Sequence, residues 1–372
     1  MAGSASSSGV TLQLGAADQQ ALAGLLDYNG NSALDGTAYT LSATAGWDTG
    51  ATAITSEAVT ASGGLYPYVL LQTLSVGLSN PVGLAVDSHG DVFVANSYDS
   101  SIVEEFSASG TLLQTLNTGL GRPLSVNVDS HGDVFVADER GNFMGDVVEE
   151  FSASGTLLRT LSDGLYSLDG VAVDGNGDVF VVDENYNYVQ EFSANGTLLR
   201  TLSNGLDGPQ GVAVDSHGDV FVEDGYNGYV EEFSANGMLL RTLSNGLGDP
   251  VDLAVDSNGD VFVLDGYYGY VEEFSPDGTL LRTLTAGLIS PVSVAVDSKG
   301  DVFVVDEGEG SDNYVEEFSA NGTLLQMLNT GLSSPQSVAV DSHGDVFVAD
   351  INNGYVEEFG VQLLGVSPPA AL

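Results

Sequence analysis

Residues 205–243 read GLDGPQGVAVDSHGDVFVEDGYNGYVEEFSANGMLLRTL, and this stretch decides the fold. It contains four short segments rich in β-branched, aromatic and aliphatic residues, at 212–214, 219–222, 230–233 and 238–243. Gly, Asn, Asp, Ser or Pro residues bound these segments, which is the pattern of short β-strands joined by tight turns. We label the four predicted strands a, b, c and d in chain order.

The four-strand unit recurs along most of the chain. Its string Gly-Asp-Val-Phe-Val occurs seven times, at steps of 42, 45, 41, 41, 41 and 44 residues. Four antiparallel strands at such a period are typical of a β-propeller blade. Strand b is apolar on both faces, as a sheet between two neighbouring blades requires. The sequence therefore predicts an all-β protein, a seven-bladed β-propeller of four-stranded antiparallel blades.

The two ends of the repeat region predict how the ring closes. A d-type segment at residues 69–74 precedes the first a strand, whereas a poor match to strand d follows the last c strand. We expect residues 70–74 to supply the outer strand of the seventh blade, because this leaves no open sheet edge. The alternative is that residues 361–366 fill that place. The predicted domains are a non-repeat N-terminal extension at residues 1–66, either partly flexible or a small packed module, a propeller at 67–366 and a tail at 367–372.

Composition excludes several classes of function. The 372 residues include 52 Asp and Glu but only 7 Lys and Arg, which gives a formal net charge of −45. Nucleic acids and anionic lipids need a basic surface, so we expect no nucleic-acid partner and no membrane docking. The chain has no cysteine, which excludes disulfides and Cys-type zinc sites. No apolar run approaches a membrane span, so no membrane insertion is expected, and residues 1–30 show no ordinary signal peptide.

The unit at residues 205–243 resembles the NHL repeat. The matching parts are the Pro-x-Gly-Val-Ala-Val-Asp entry at 209–215, the Gly-Asp-Val-Phe-Val-x-Asp strand at 218–224, the Val-Glu-Glu-Phe strand at 230–233 and the Asn-Gly turn at 236–237. The resemblance implies a propeller but leaves the function open, because NHL-type propellers include RNA binders, lyases, lactonase-like enzymes and bacterial extracellular proteins. Acidity, scarcity of Lys and this resemblance together predict an extracellular or cell-surface location.

The lyase branches of this family would imply functional histidines. Resemblance to streptogramin lyases would imply a His base, and resemblance to peptidyl-hydroxyglycine lyases would imply a His-ligated metal. All four histidines instead occupy the middle of the a–b turn, where the other copies have Asn or Lys, so neither role can be transferred. The two Asp residues of this turn are interpreted as turn caps, because a calcium cage needs more oxygen ligands than one such turn offers.

The variable b–c and d–a connections are expected to lie together on one rim, the usual ligand side of a propeller. In one interpretation, the Asp residues that end the b strands of all blades but the first cap loops, and the Tyr before each c-strand Val packs between blades. In the other, Tyr rings and acidic acceptors form a rim for sugars, cationic peptides or a divalent cation. The ligand-binding candidates are Asp183, Asp224, Asp265, Tyr186, Tyr188, Tyr226, Tyr229, Tyr267, Tyr268 and Tyr270, of which Tyr186, Tyr226, Tyr267 and Tyr268 are favoured as the less regular ones.

Two acids in strand a break the repeat. Asp252 stands where the other copies have Gly or Ser, and Asp169 stands one place earlier, where the others have Val, Leu or Gln. Resemblance to gluconolactonase-like propellers would imply a metal held by unique Glu, Asn and Asp residues near the central channel. Asp169 and Asp252 are therefore the metal-ligand candidates, and calcium is the cofactor to consider.

Near-identical blades favour a binding or scaffolding module over an enzyme, because catalysis needs one place where the symmetry is broken. We expect an extracellular module that presents an acidic, Tyr- and Asn-rich rim to a glycan, peptide or protein partner. The alternative is a metal-dependent lyase or lactonase-type hydrolase on the same propeller. Thirteen Glu residues on the c strands face four Arg residues on the d strands, so stability is expected to depend on salt or bound cations.

Overall fold

The repeat folds into seven sheets of four strands each. The computed structural model describes residues 68–97, 101–140, 145–308 and 313–361. These residues form 28 strands in seven antiparallel sheets, which confirms the predicted all-β, seven-bladed propeller. The described part of the chain offers no helix with the length and hydropathy that a membrane span needs. The predicted extension at 1–66 and tail at 367–372 lie outside the described residues.

Blades 1 to 6 contain strands a to d in chain order, and blade 7 takes its strand d from the N-terminal end of the propeller. Blade 1 has β2 (Pro81–Val86), β3 (Val92–Asn96), β4 (Ile102–Phe106) and β5 (Leu112–Leu116); blade 2 has β6 (Pro123–Val128), β7 (Val134–Asp138), β8 (Val147–Phe151) and β9 (Leu157–Leu161). Blade 3 has β10 (Leu168–Val173), β11 (Val179–Asp183), β12 (Tyr188–Phe192) and β13 (Leu198–Leu202); blade 4 has β14 (Pro209–Val214), β15 (Val220–Asp224), β16 (Tyr229–Phe233) and β17 (Leu239–Leu243). Blade 5 has β18 (Pro250–Val255), β19 (Val261–Asp265), β20 (Tyr270–Phe274) and β21 (Leu280–Leu284); blade 6 has β22 (Pro291–Val296), β23 (Val302–Asp306), β24 (Tyr314–Phe318) and β25 (Leu324–Leu328). Blade 7 has β26 (Pro335–Val340), β27 (Val346–Asp350), β28 (Tyr355–Val361) and, as its outer strand, β1 (Tyr68–Leu74).

The ring closes through its N-terminal strand. β1 pairs antiparallel with β28, with Tyr68 opposite Val361 and Leu74 opposite Val356. The Tyr68 hydroxyl also donates to the carbonyl oxygen of Gly344, at 2.7 Å, which ties the strand to the last a–b turn. The predicted closure is confirmed, and the alternative through residues 361–366 is wrong because β1 occupies the outer edge of β28.

The core lies between neighbouring blades. Every residue of the seven b strands is buried, as the apolar pattern on both faces predicted. The clusters join one sheet to the next: Phe180 and Val182 of blade 3 pack with Val220 and Phe233 of blade 4. The a strands contact one another around the ring and therefore line its centre.

The a–b turns use both of their acids structurally. In the first turn the carboxylate of Asp87 accepts hydrogen bonds from the backbone N–H groups of His89, at 2.8 Å, and Asp91, at 2.9 Å. Gly90 lies between them at a φ of 81°, a conformation that favours glycine. Asp91 in turn accepts from the backbone of Ala108 in the c–d turn. The capping interpretation therefore accounts for this motif.

Packing the blades face to face also buries the paired acids of the c strands. The first Glu of five pairs accepts a hydrogen bond from a Thr hydroxyl on strand d, at 2.6–2.9 Å. The second acid contacts an Arg or a Gln on the same strand; Arg241 Nε, for example, lies 3.2 Å from Glu232. Burial nevertheless raises the pKa of Glu232 to about 7, because the single arginine does not offset the lost hydration.

Blade 6 lacks this threonine. Met327 stands opposite Glu316, where all six other blades have a Thr on strand d. The Glu316 side chain is fully buried, and neither of its oxygens has a hydrogen-bond partner. Burial, followed by the charge of Asp306, raises the pKa of Glu316 to about 8. Glu316 is therefore a local weak point of the ring.

Met327→Thr is expected to stabilise the protein. The new hydroxyl would donate to Glu316, and a satisfied buried acid should raise the free energy of unfolding by about 1 kcal/mol. Urea unfolding measures the change. The matched control is Thr283→Met, which removes the corresponding bond to Glu272 in blade 5 and should destabilise by a similar amount. Equal stability of Met327→Thr and the native chain would contradict this role of the threonines.

Candidate functional site

The acids that end the b strands fasten the loops of one rim. Asp183 accepts hydrogen bonds from the backbone of Tyr166 in the d–a loop and of Tyr186 in the b–c loop. Asp224 and Asp265 bind their own pairs of loops in the same way. The b–c and d–a loops therefore share a rim. All three acids have no exposed surface, which favours the loop-capping interpretation for them over contact with a ligand.

The tyrosine rim comprises Tyr166, Tyr186, Tyr188, Tyr226, Tyr229, Tyr267, Tyr268 and Tyr270, in blades 3 to 5. Tyr188 and Tyr270 each donate their hydroxyl to a d-a loop carbonyl, at 2.7 and 2.8 Å, and are held in place. Tyr186 stacks on Tyr188 with ring centroids 5.7 Å apart, and Tyr268 stacks on Tyr270 at 5.3 Å. Each fixed, half-buried ring thus supports an outer ring. Tyr229 is half-buried at the equivalent place in blade 4.

The outer rings are unusually exposed. Tyr226 and Tyr267 are 73% and 74% exposed, and Tyr166, Tyr186 and Tyr268 are about half exposed. The Tyr226 ring lies so close over Gly208 that a Cβ there would stand 2.3 Å from it, so this glycine permits the ring's position. A cluster of exposed aromatic rings on one side of a soluble protein is typical of a binding surface. The irregular tyrosines favoured by the sequence are the ones that the structure exposes.

A second feature lies at the centre of the ring, where the a strands of blades 2 to 5 surround a cavity of about 470 Å³. We call it the hub cavity. Asp169 and Asp252, the two acids that break the repeat in strand a, both line it. The structure thus brings the two metal-ligand candidates to one place. The rest of its polar lining includes Ser125, Glu184, Gln210 and Glu223.

Glu223 is a site residue that sequence reasoning missed. It is the fourth residue of its b strand, a place where the other six blades have Ala, Val or Leu. The side chain is 1% exposed, and neither carboxyl oxygen meets the geometry of a hydrogen bond. It lies over Gly211, where a Cβ would stand 2.4 Å from Oε2. The signal was present, since Glu223 is the one acid at an otherwise apolar place.

Glu223 and Asp252 form an unequal pair of carboxyl groups. Asp252 accepts hydrogen bonds from the backbone of Leu253, at 2.9 Å, and of Val294 in the next blade, at 2.7 Å, which favour its anion. Glu223 has only the backbone N–H of Gly211 nearby, and that contact does not meet hydrogen-bond geometry. Burial, followed by the charge of Asp252, raises the pKa of Glu223 well above its usual range. Burial also raises the pKa of Asp252, to about 6, although its hydrogen bonds oppose the shift.

Asp169 connects the hub cavity to the tyrosine rim. It also lines a neighbouring cavity of about 440 Å³, together with Tyr166 and Asn185 of the rim. Desolvation, followed by the charge of Glu184, raises the pKa of Asp169 to about 6. Asp169 therefore lines both the hub cavity and a cavity that is bordered by the rim.

The histidines lie away from both features. Each sits in an a–b turn, at the opposite ends of the strands from the b–c loops, and its backbone N–H donates to the first Asp of its turn. Within the described ranges, no group of three or more His, Cys, Asp or Glu side chains is arranged to hold a metal ion. The proposed roles of Asp169 and Asp252 as metal ligands, and of calcium as cofactor, stay predictions.

The fold and this hub define a seven-bladed β-propeller with an acidic centre. A family model of the NHL repeat matches residues 78–104. The family-model match and the seven-bladed ring together support the resemblance of this chain to NHL-repeat β-propellers. A sequence search of curated proteins gave no match.

Two solved structures share the architecture. A streptogramin B lyase superposes with a TM-score of 0.68 at 14% identity, over 79% of this chain and 98% of the lyase. Selenomethionine-substituted virginiamycin B lyase from Staphylococcus aureus gives a TM-score of 0.67 at 14% identity, over 79% of this chain and 99% of that one. At this identity the likeness shows the fold alone.

Glu223→Leu is expected to stabilise the propeller. Leu264 occupies the equivalent place in blade 5, and an apolar side chain removes the cost of burying an unpartnered acid, about 1–3 kcal/mol. Urea unfolding near neutral pH measures the gain. Asp163→Asn removes one charge from an exposed loop and is the control for a general charge effect. A loss of stability in Glu223→Leu, or an equal gain in the control, would show that burial of Glu223 carries no such cost.

Proposed function

We propose that the propeller is a binding module that captures a positively charged polypeptide on the tyrosine rim. The observation that carries this proposal is the group of exposed rings in blades 3 to 5, supported from below by fixed tyrosines. Rings held in this way give a large contact area with little loss of side-chain entropy on binding.

The charge distribution supports a cationic partner. Of the seven basic residues, only Arg122 and Arg140 lie at the loop rim, and both are paired with acids in blade 2. Blades 3 to 5 present Asp207, Asp249 and Glu184 there without a basic neighbour. Arg guanidinium groups stack on Tyr rings and pair with carboxylates. The tyrosines and the acids of the rim would therefore both bind arginine side chains. The net charge of −45 would also speed association with such a partner.

Loss of the outer rings is expected to weaken binding of a deca-arginine peptide. Tyr226→Ala combined with Tyr267→Ala leaves the net charge unchanged but removes two stacking surfaces, so the dissociation constant should rise about tenfold or more. Isothermal titration calorimetry measures the constant.

Met238→Ala is the matched control, since this side chain is 60% exposed near a c–d turn, away from the rim. Equal affinity of the rim variant and this control would contradict the proposal. Selection of an oligosaccharide over the peptide by the native protein would assign the rim to a glycan instead.

A second candidate is a metal-dependent lyase or lactonase-type hydrolase. The specific observation that favours it is the hub cavity, where Asp169, Glu223 and Asp252 break the symmetry of the blades. The fold shared with the two lyase structures is compatible with this candidate. An assay of elimination and of lactone hydrolysis, with added magnesium or calcium, distinguishes the two candidate functions. Turnover abolished by Asp252→Asn would establish the enzyme, and the extracellular location stays a prediction in either case.

A further inference from the structure

The hub cavity has its own binding chemistry, distinct from that of the tyrosine rim. It contains a buried acid without a hydrogen-bond partner, Glu223, and a charged neighbour, Asp252, on the next blade. No other blade has an acid at either place. We propose that the hub cavity binds a small primary amine, with its ammonium group held between the carboxyl groups of Glu223 and Asp252.

The residues that line the hub cavity indicate that its ligand is positively charged. The charged residues around the cavity are Asp169, Glu184, Glu223 and Asp252, and none of the lining residues is basic. A cation that reaches Glu223 would supply the donors that both of its oxygens lack, and would remove the repulsion from Asp252. An anion in the hub cavity would be repelled by these acids.

An ammonium group suits these acceptors better than a divalent metal ion. Calcium takes six to eight oxygen ligands. The carboxylate of Asp252 already accepts hydrogen bonds from the backbone N–H groups of Leu253 and Val294, so fewer of its lone pairs are available to a metal ion. An ammonium group has only three hydrogens to donate. The two oxygens of Glu223 and a remaining lone pair on Asp252 are enough to accept all three. The volume of about 470 Å³ lies within the range of small-molecule sites.

Binding of the amine is expected to strengthen as the pH rises. Burial, followed by the charge of Asp252, raises the pKa of Glu223, and burial raises the pKa of Asp252 to about 6. A bound ammonium group favours the charged form of both carboxyl groups, so binding is coupled to the loss of their protons. The other acids facing the cavity, Asp169 on β10 and Glu184 on the b–c loop of blade 3, add negative charge and are partly exposed or exposed. Affinity should therefore increase with pH until the amine itself loses its proton.

This inference does not rest on the proposed function, because no tyrosine of the rim lines the hub cavity. The amine group could belong to a free small molecule or to a lysine side chain of a polypeptide. Short alkylamines distinguish the two sources, since they reach the cavity without touching the rim.

Calorimetric titration with n-butylammonium chloride tests the proposal. It is done at about pH 8, above the pKa of about 6 of both Asp169 and Asp252, so that these two acids carry their charge in the native protein. The native protein should bind one equivalent. Glu223→Gln should weaken binding about tenfold or more, whereas Asp163→Asn should bind as the native protein does. Thermal unfolding confirms that each variant is folded, and Asp252→Asn provides a second variant of the site.

Several results would overturn the proposal. These are the absence of saturable binding by the native protein, equal affinity in Glu223→Gln, and equal affinity for butyltrimethylammonium, which has the charge but no hydrogen to donate. Displacement of the amine by a single tightly bound calcium ion would assign the cavity to a metal instead. Binding of a lysine peptide in the absence of alkylamine binding would leave the rim proposal standing and contradict this one.

Discussion

Face-to-face packing of the blades is the constraint on which the structure depends. Each sheet is covered on both faces, so the b and c strands have no solvent side, and the thirteen Glu residues of the c strands must enter the interior. Thr and Arg or Gln on strand d meet most of these acids with hydrogen bonds and ion pairs. Where such partners are few or missing, as at Glu316, the raised pKa shows that a proton takes the place of a cation.

The same packing restricts which side chains fit on the a strands at the centre of the propeller. A Cβ on Gly83 would stand 2.8 Å from the carbonyl oxygen of Leu124 in the next blade, so small residues prevail at this place of strand a. Asp252 is accommodated because its carboxylate accepts the backbone N–H of Val294 across the blade boundary. Glu223 then faces a fixed negative charge in a place built for an apolar side chain. Blades that are nearly identical in sequence therefore still enclose one unique acid pair.

Much of the fold could be predicted from the sequence, because a propeller repeats local signals. The seven copies gave the blade number, and the d-type segment before the first blade gave the closure. The site was predictable only in part. Asp169 and Asp252 stood out as breaks in the repeat, but Glu223 lay inside a strand already assigned to the core. Contacts between blades decide which acids lie close together. An acid that recurs in most copies of the repeat can be fully buried as a loop cap, as Asp183 is. We expected near-identical blades to leave no unique site, but the residues around the hub cavity break the repeat.

Burial of acids between blades is tested most directly by the pH dependence of the free energy of unfolding. In the unfolded chain carboxyl groups titrate near about pH 4, whereas burial raises the pKa of Glu317 to about 7 and that of Glu316 to about 8. The folded state then holds protons that the unfolded chain releases, so stability is lost as the pH rises through the folded-state pKa values. Urea titrations should show the greatest stability at about pH 4 and a steady decline to about pH 8. Stability that stays constant or rises over this interval would contradict the account.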